Sequence, residues 1–443
     1  MDFESTKNIE CPFTWKLDPK HAIAIGNESM LYDYKSSPVG SFIKVNTLAY
    51  IRSMQGNFDD AEKLIDEINY VWDFICKRIS KENDYSVDVL LHIKYATAFC
   101  VYSMSRKKDQ AKAMEIKIKD AKNFNSDIEK GTIFGSQAFA SYVFLERNID
   151  AALEAAKLAV SYAPNCELWH YINAQCLRTK RRQQKFDLPV SIEEENEFLK
   201  CYELSPSVEN IIHVARMYKE KKNWEKSSEM YNQLYLKNPT DFNSNLILAL
   251  HFIGQNDLIK AKNCLDYFEK NSEHKTKAYY HYLGKYYEKS DNYQKAKENY
   301  LKALGDSGNF PADMDHLKLI RKISRSKFDY EEIKHLKNML KRYEGDKINT
   351  VFISLNLAMT YLFKSKNLKL AADYFLKAIK INPCDPQLEN FQMTYRDKKY
   401  NIFDLISRNI LTENENSYGI TLKELKNYCT EYNNQAGKNN VPD

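Results

Sequence analysis

Residues 277–304 read KAYYHYLGKYYEKSDNYQKAKENYLKAL, and within them Leu283-Gly284, Tyr287, Ala296, Tyr300 and Ala303 set small and large residues at fixed spacing. The small ones fall where two helices must touch, the large ones where the space between them must be filled. Such spacing predicts a helix–turn–helix unit that cannot bury its apolar face alone and must stack on copies of itself. Those copies are present. Ala249, Phe252, Ala261 and Leu265 take the same positions, with Ala249 35 residues before Gly284. Ala215, Tyr218, Ser227 and Tyr231, closed by Pro239, take them again, with Ala215 34 residues before Ala249.

Three consecutive copies that keep both period and residue class define a tetratricopeptide repeat. Upstream, Ala140, Ala152, Ala156, Ala159 and Pro164 form another copy. A split copy holds Ile172, Cys176, Phe198, Cys201 and Pro206, with roughly nine extra residues in its turn. Leu48-Ala49, Gly56 and Ala61 mark an N-terminal copy, and Tyr95, Tyr102 and Ala111 a weaker one. Downstream come a worn unit from Leu319 to Met339, with Ile323, Glu332 and Leu336, and a good one with Leu357-Ala358, Tyr361, Ala371, Phe375, Ala378 and Pro383. The expected fold is all-α, a superhelical solenoid of about eight to nine units. The expected divisions are an N-terminal helical segment at 1–40, the repeats at 41–385, and capping helices with a polar tail, disordered from Asn433, at 386–443.

Composition agrees. With 12 Gly and 11 Pro among 443 residues, helices should be long and turns short. Tyr (31) and Phe (22) are abundant, as helix seams and binding surfaces both require. The net charge of +5 permits an acidic partner without demanding one. The nine Cys include no Cys-x-x-Cys pair, and the reading is of free buried thiols in a reducing, cytoplasmic setting. Residues 1–30 do not read as a secretory leader, and no apolar run reaches membrane-spanning length. There is no Gly-rich phosphate loop, no His-Glu-x-x-His and no Gly-x-Ser-x-Gly, so a non-enzyme without metal or cofactor is expected.

In a tetratricopeptide solenoid the first helix of each pair lines the concave face. The register assigns to that face Gln137 and Ser141, then Glu167, His170 and Arg178, then Glu209, Arg216, Lys219 and Glu220, and later Asn243, His281, Lys285, Glu288 and Lys289. Arg178, Arg216, Lys219 and Lys285 are candidates for RNA phosphates. His170, Gln137 and His281 are candidates for polar contact with bases. Lys180, Arg181, Arg182 and Lys185 extend Arg178 into a basic cluster at the rim. The competing reading of all these charges is a solvated helix face, since Lys and Glu partly alternate.

The segment Cys11-Pro12-Phe13-Thr14-Trp15-Lys16-Leu17 resembles the Cys-His-Phe-Thr-Trp opening of the interferon-induced proteins with tetratricopeptide repeats, with Pro12 in place of His. Asn46-Thr47-Leu48-Ala49-Tyr50 with Gly56, Glu129-Lys130-Gly131, and His281-Tyr282 with Tyr300-Leu301-Lys302-Ala303-Leu304 are similar to later parts of that family. The resemblance spans residues 8–305. It implies a positively charged tunnel that captures the 5′ end of single-stranded RNA, bearing a triphosphate or an incompletely methylated cap. It also implies restraint of viral translation and assembly among family members. By that resemblance Tyr142 corresponds to a tunnel tyrosine, on which a base would stack, and Arg178 to a phosphate-binding arginine. The chain departs where the family has a cap-stacking Trp, here Thr132, and a tunnel Lys, here Ser136.

Two functions follow. One is a cytosolic binder of single-stranded RNA, possessing antiviral function, with a homo-oligomer or protein partners also admitted. The other is a protein-interaction scaffold. The inner pairs Asn46/Tyr50, His170/Ala174, Ile212/Arg216 and His281/Lys285 do not supply the Lys and Asn clamp that grips chaperone tails. The apolar inner positions Ile212, Leu246, Leu250 and Ile253, and Phe352, Leu355, Met359 and Leu362, suit a peptide groove or burial.

Overall fold

The computed structural model describes residues 7–17, 38–77, 84–142, 149–184, 188–305, 307–323, 330–393, 398–412 and 419–438. It divides into two compact units, Met1–Pro239 and Thr240–Asp443. The first unit holds five antiparallel helix pairs: α1 (Pro38–Met54) with α2 (Phe58–Cys76), α3 (Val87–Met104) with α4 (Lys108–Glu115), α5 (Asp127–Tyr142) with α6 (Ile149–Tyr162), α7 (Glu167–Gln184) with α8 (Ile192–Leu204), and α9 (Val208–Glu220) with α10 (Trp224–Leu236). The second holds four: α11 (Phe242–Gly254) with α12 (Leu258–Asn271), α13 (Lys277–Lys289) with α14 (Tyr293–Leu304), α15 (Phe310–Ile323) with α16 (Tyr330–Arg342), and α17 (Lys347–Thr360), which runs on into a π turn at Tyr361–Ser365, with α18 (Leu368–Ile381). The fold class is the expected helical solenoid of tetratricopeptide type.

The repeat positions do the packing foreseen for them. Ala215, Ala249, Ala261, Ala296, Ala303, Ala358 and Ala371 are all fully buried. At Gly284 a Cβ would come within 2.6 Å of the Tyr300 ring, so only glycine lets α13 and α14 approach this closely.

A common turn joins the two helices in six of the pairs. One residue in it is left-handed: Gly56, Arg106, Lys222, Asn256, Asp291 and Lys366 all have φ between 53° and 79°. The next residue's N–H closes the first helix: Asn223 donates to the Tyr218 carbonyl, Asp257 to Phe252 and Asn292 to Tyr287, each at 2.9 Å. The side chains of Asn223, Asp257, Asn292 and Asn367 then cap the second helix by accepting from the backbone N–H three residues on. Across this turn lysine ammoniums lie over aromatic rings in register: Lys226 over Tyr218, Lys260 over Phe252 and Lys295 over Tyr287, at 5.1–5.3 Å.

The ends differ from expectation. Residues 7–17 are a strap of turns rather than a helix, because Thr14 folds back on Cys11: its hydroxyl accepts from the Cys11 N–H at 3.1 Å and its N–H donates to the Cys11 carbonyl at 2.9 Å. The strap is held by Cys11, fully buried, by the Tyr50 hydroxyl donating to the Leu17 carbonyl at 2.6 Å, and by the Glu10 N–H donating to His92 Nε2 at 2.8 Å. At the other end, α19 (Pro386–Glu389) leads into a two-stranded ribbon, β1 (Phe391–Gln392) against β2 (Lys399–Tyr400), then α20 (Ile402–Asn409) and α21 (Gly419–Lys438). The chain stays helical past Asn433, since Leu422, Leu425 and Cys429 anchor α21 in the core of the second unit.

Candidate nucleic-acid interface

In the first unit the first helices of successive pairs form one layer. Their exposed faces meet through side chains. Tyr142 on α5 shares a 3.1 Å hydrogen bond with Thr179 on α7. Gln175 on α7 lies 3.3 Å from His213 on α9, and the Tyr171 ring lies 5.0 Å from that of His213. Gln137 donates to the strap carboxylate of Glu10 at 3.3 Å, and Trp15 Nε1 donates to the same group at 2.7 Å. Burial and the neighbouring Arg178 and Arg216 push His213 down to about 3, so its ring is neutral at physiological pH.

One cluster dominates this layer. Three arginines from the last turns of α7 converge on two carboxylates. Arg181 grips Glu194 of α8 with Nε at 2.8 Å and a terminal nitrogen at 3.0 Å, and also reaches Glu220 at the end of α9. Arg182 donates to Glu220 at 2.7 Å. Arg178 stacks its guanidinium on Phe198, 4.3 Å from the ring centroid. Its Nε lies 3.6 Å from Glu194 and 3.5 Å from Glu220, beyond hydrogen-bonding distance, and has no hydrogen-bond partner. Three guanidiniums against two carboxylates leave one positive charge. Burial lowers the Arg178 pKa. Burial opposes ionisation of Glu220 too, but the Arg181 hydrogen bond and the charges of Arg178 and Arg182 hold it below the ordinary carboxylate value.

Three of these positions do not lie on the solvated helix face of the competing reading. Arg178 is 5% exposed, Arg181 8% and His170 6%. His170 faces acceptors with both ring nitrogens, Glu197 at 2.7 Å and the Pro164 carbonyl at 2.8 Å. Despite burial, these partners raise its pKa, and it serves as a tie between α7 and α8 rather than an open polar contact. Lys180 pairs with Asp150 at 2.7 Å. Lys185 lies outside the described residues. Arg216 and Lys219 remain exposed on α9. The Arg216 side chain hydrogen-bonds Tyr231, whereas the Lys219 ammonium makes no ion pair among the described residues. The register had not drawn attention to Tyr171, Gln175 or His213. Their spacing of four along α7, and one position from Ile212 on α9, was the available signal.

In the second unit His281 and Lys285 share one partner. The Asp315 carboxylate lies 2.9 Å from His281 Nε2 and 2.8 Å from Lys285 Nζ. Lys318 adds a third contact at 3.0 Å. Burial opposes this ionisation, yet these partners hold Asp315 well below the usual carboxylate range. His281 is thus buried against the Asp315 carboxylate, and Lys285 is half-buried and tethered to it.

The two departures from the family pattern are structural here. Thr132 is fully buried, its hydroxyl accepting from the Ser86 N–H at 2.8 Å and donating to the Ile128 carbonyl at 2.7 Å. Ser136 is also fully buried. Neither offers a surface for a cap. Among the described residues no group of His, Cys, Asp and Glu is arranged to hold a metal, and no helix is long and apolar enough to cross a membrane.

No protein-family model matches the sequence, and no curated protein matches it. Solved structures do. A human IFIT1 dimer with PPP-AAAA is similar over 98% of this chain and 98% of that one, with 15% identity and a TM-score of 0.55. The human IFIT1 dimer with m7Gppp-AAAA covers 96% and 98%, at 13% identity and a TM-score of 0.54. A monomeric IFIT1 mutant with Gppp-AAAA covers 97% and 98%, at 14% identity and a TM-score of 0.57. At this identity the likeness is one of fold.

Proposed function

We propose that this chain is a non-catalytic, cytosolic binder of single-stranded RNA that engages 5′ ends of foreign RNA in antiviral defence. The observation that carries the reading is the arginine cluster at the end of α7. It holds a net positive charge, and it keeps a guanidinium nitrogen of Arg178 buried without a hydrogen-bond partner beside the exposed Arg216 and Lys219 of α9. Buried donors are normally satisfied, and phosphate oxygens suit guanidinium groups. Tyr142 and Tyr171 place rings in the same layer, where bases can stack. The structural neighbours solved with PPP-, Gppp- and m7Gppp-capped AAAA give the class of ligand to try first.

The test is binding of a short single-stranded RNA, with and without a 5′-triphosphate, across a salt series. Each phosphate contact contributes about 0.7 to the log–log salt slope. Lys219→Ala should flatten the slope by roughly that amount. Absence of affinity at low salt overturns the reading in favour of the second one, a protein-interaction scaffold. That alternative draws on the carboxylate partners that already occupy Arg181, Lys180 and His281.

A further inference from the structure

The two carboxylates in the arginine cluster are not equivalent. Glu194 is sealed, with a side chain 1% exposed, its backbone N–H held by the Ser191 hydroxyl and its carboxylate gripped by Arg181 at two points. Glu220 has a side chain 23% exposed. It is the last residue of α9, where the carbonyl end of the helix dipole repels a negative charge. It is held there by the three arginines, and it meets Arg178 only at 3.5 Å. The position at which Arg178, Arg181 and Arg182 converge is therefore filled by an anion supplied from an unfavourable helix end, next to solvent, while one buried donor stays unmatched.

We propose that Glu220 is a resident anion of the phosphate site, displaced when a multiply charged phosphate group enters, and that this exchange rejects singly charged phosphodiesters. The inference rests on the RNA-binding reading of the cluster. The charge balance gives the discrimination. An incoming phosphodiester brings one negative charge and replaces one, so it gains little while freeing Glu220 to repel it nearby. A terminal phosphate with two or more charges replaces one charge with more, and its extra oxygens can accept from the Arg178 Nε that neither carboxylate satisfies. Swinging out also relieves Glu220 of its helix-end repulsion.

Inorganic tripolyphosphate and dimethyl phosphate are suitable probes, titrated by calorimetry against the full chain. The wild type should bind tripolyphosphate at least about tenfold more tightly than dimethyl phosphate, a factor worth about 1.4 kcal/mol. Glu220→Gln, which keeps the shape and removes the charge, should tighten dimethyl phosphate about tenfold or more and so narrow the discrimination. Glu220→Asp keeps the charge but withdraws it by one methylene, and should fall between the two; it serves if the Gln variant is poorly folded. If dimethyl phosphate binds the wild type and both variants equally while tripolyphosphate binds, the exchange is wrong while the arginine site stands. If tripolyphosphate binds none of them, the arginine site and the exchange fall together.

Discussion

Arg178 and Glu220 face each other at 3.5 Å without a hydrogen bond, one all but buried and the other at the solvent edge of the first unit. Arg178 is desolvated for a stack on Phe198 and one long hydrogen bond, from a terminal nitrogen to the His213 carbonyl at 3.5 Å, whereas its neighbour Arg181 makes the close contacts to the carboxylates.

The stability of the cluster should accordingly depend on Glu194 far more than on Glu220. Removing one partner of a buried ion pair strands the other, at a cost of about 3–5 kcal/mol. Glu194→Gln should lose that order of stability in denaturant unfolding. Glu220→Gln, partly screened by water, should lose about 1 kcal/mol or less. Equal losses would mean that both carboxylates are structural clamps.

How much of this was legible in the sequence depends on the distance over which each feature is encoded. The pairs of α9 to α14 were legible because Ala215, Ala249 and Gly284 repeat a local requirement for a small side chain. The turn carries its own signals in Asn223, Asp257 and Asn292. The burial of Arg178 was not legible. It depends on Phe198 and Glu194, on the far side of the extra turn residues, and on Glu220 in the next repeat. Register places a residue on a helix face, but it does not say which acidic side chain folds over it. The strap was missed for a similar reason: its anchors, His92 and Tyr50, belong to other helices.

The shared turn carries strain that can be relieved. Arg106 has φ 61°, a left-handed conformation in which a Cβ costs about 1–2 kcal/mol. Glycine adopts it freely but loses more entropy on folding, so Arg106→Gly should stabilise by about 0.5–1 kcal/mol. The reverse change at the equivalent position, Gly56→Val, should destabilise by more than 1 kcal/mol, since φ is 79° there and the residue is β-branched. Thermal unfolding of the two variants checks this, and matching shifts in the same direction would refute it.

Two glycines should respond to alanine with opposite signs. At Gly135 a Cβ would stand 2.3 Å from the ring of Trp169, which is fully buried and cannot yield. Overpacking of this kind costs about 1–3 kcal/mol, enough to outweigh the gain in helix propensity. At Gly254 the added carbon meets nothing within 4 Å, so propensity alone acts and Gly254→Ala should gain up to about 1 kcal/mol. Differential scanning calorimetry of both variants would show whether the close approach of α5 to Trp169 is as tight as described.

Acid should loosen both units through histidines that are buried neutral. Burial pushes His213 and His316 down to about 3, and lowers His92 and His335 as well. In His316 both ring nitrogens lack partners. His92 donates from Nδ1 to the Lys119 carbonyl and accepts the Glu10 N–H on Nε2, so a proton on Nε2 would break its hold on the strap. A group whose folded pKa is depressed below the unfolded value of about 6.5 binds more protons when unfolded. Its stabilising contribution is complete above pH 6.5 and is lost as pH falls below that value towards the folded pKa. For a histidine near 3 the loss at pH 5 is about 2 kcal/mol. His170 runs the other way, because its raised pKa makes it stabilising below pH 6.5 and less so as pH rises through the folded value. One such group against four leaves the net slope positive with pH. Urea unfolding at pH 7.5, 6.0 and 5.0 should therefore show falling stability, and His316→Gln should flatten the trend for the second unit. A stability that is level across that range would show that these rings are hydrated or paired in solution.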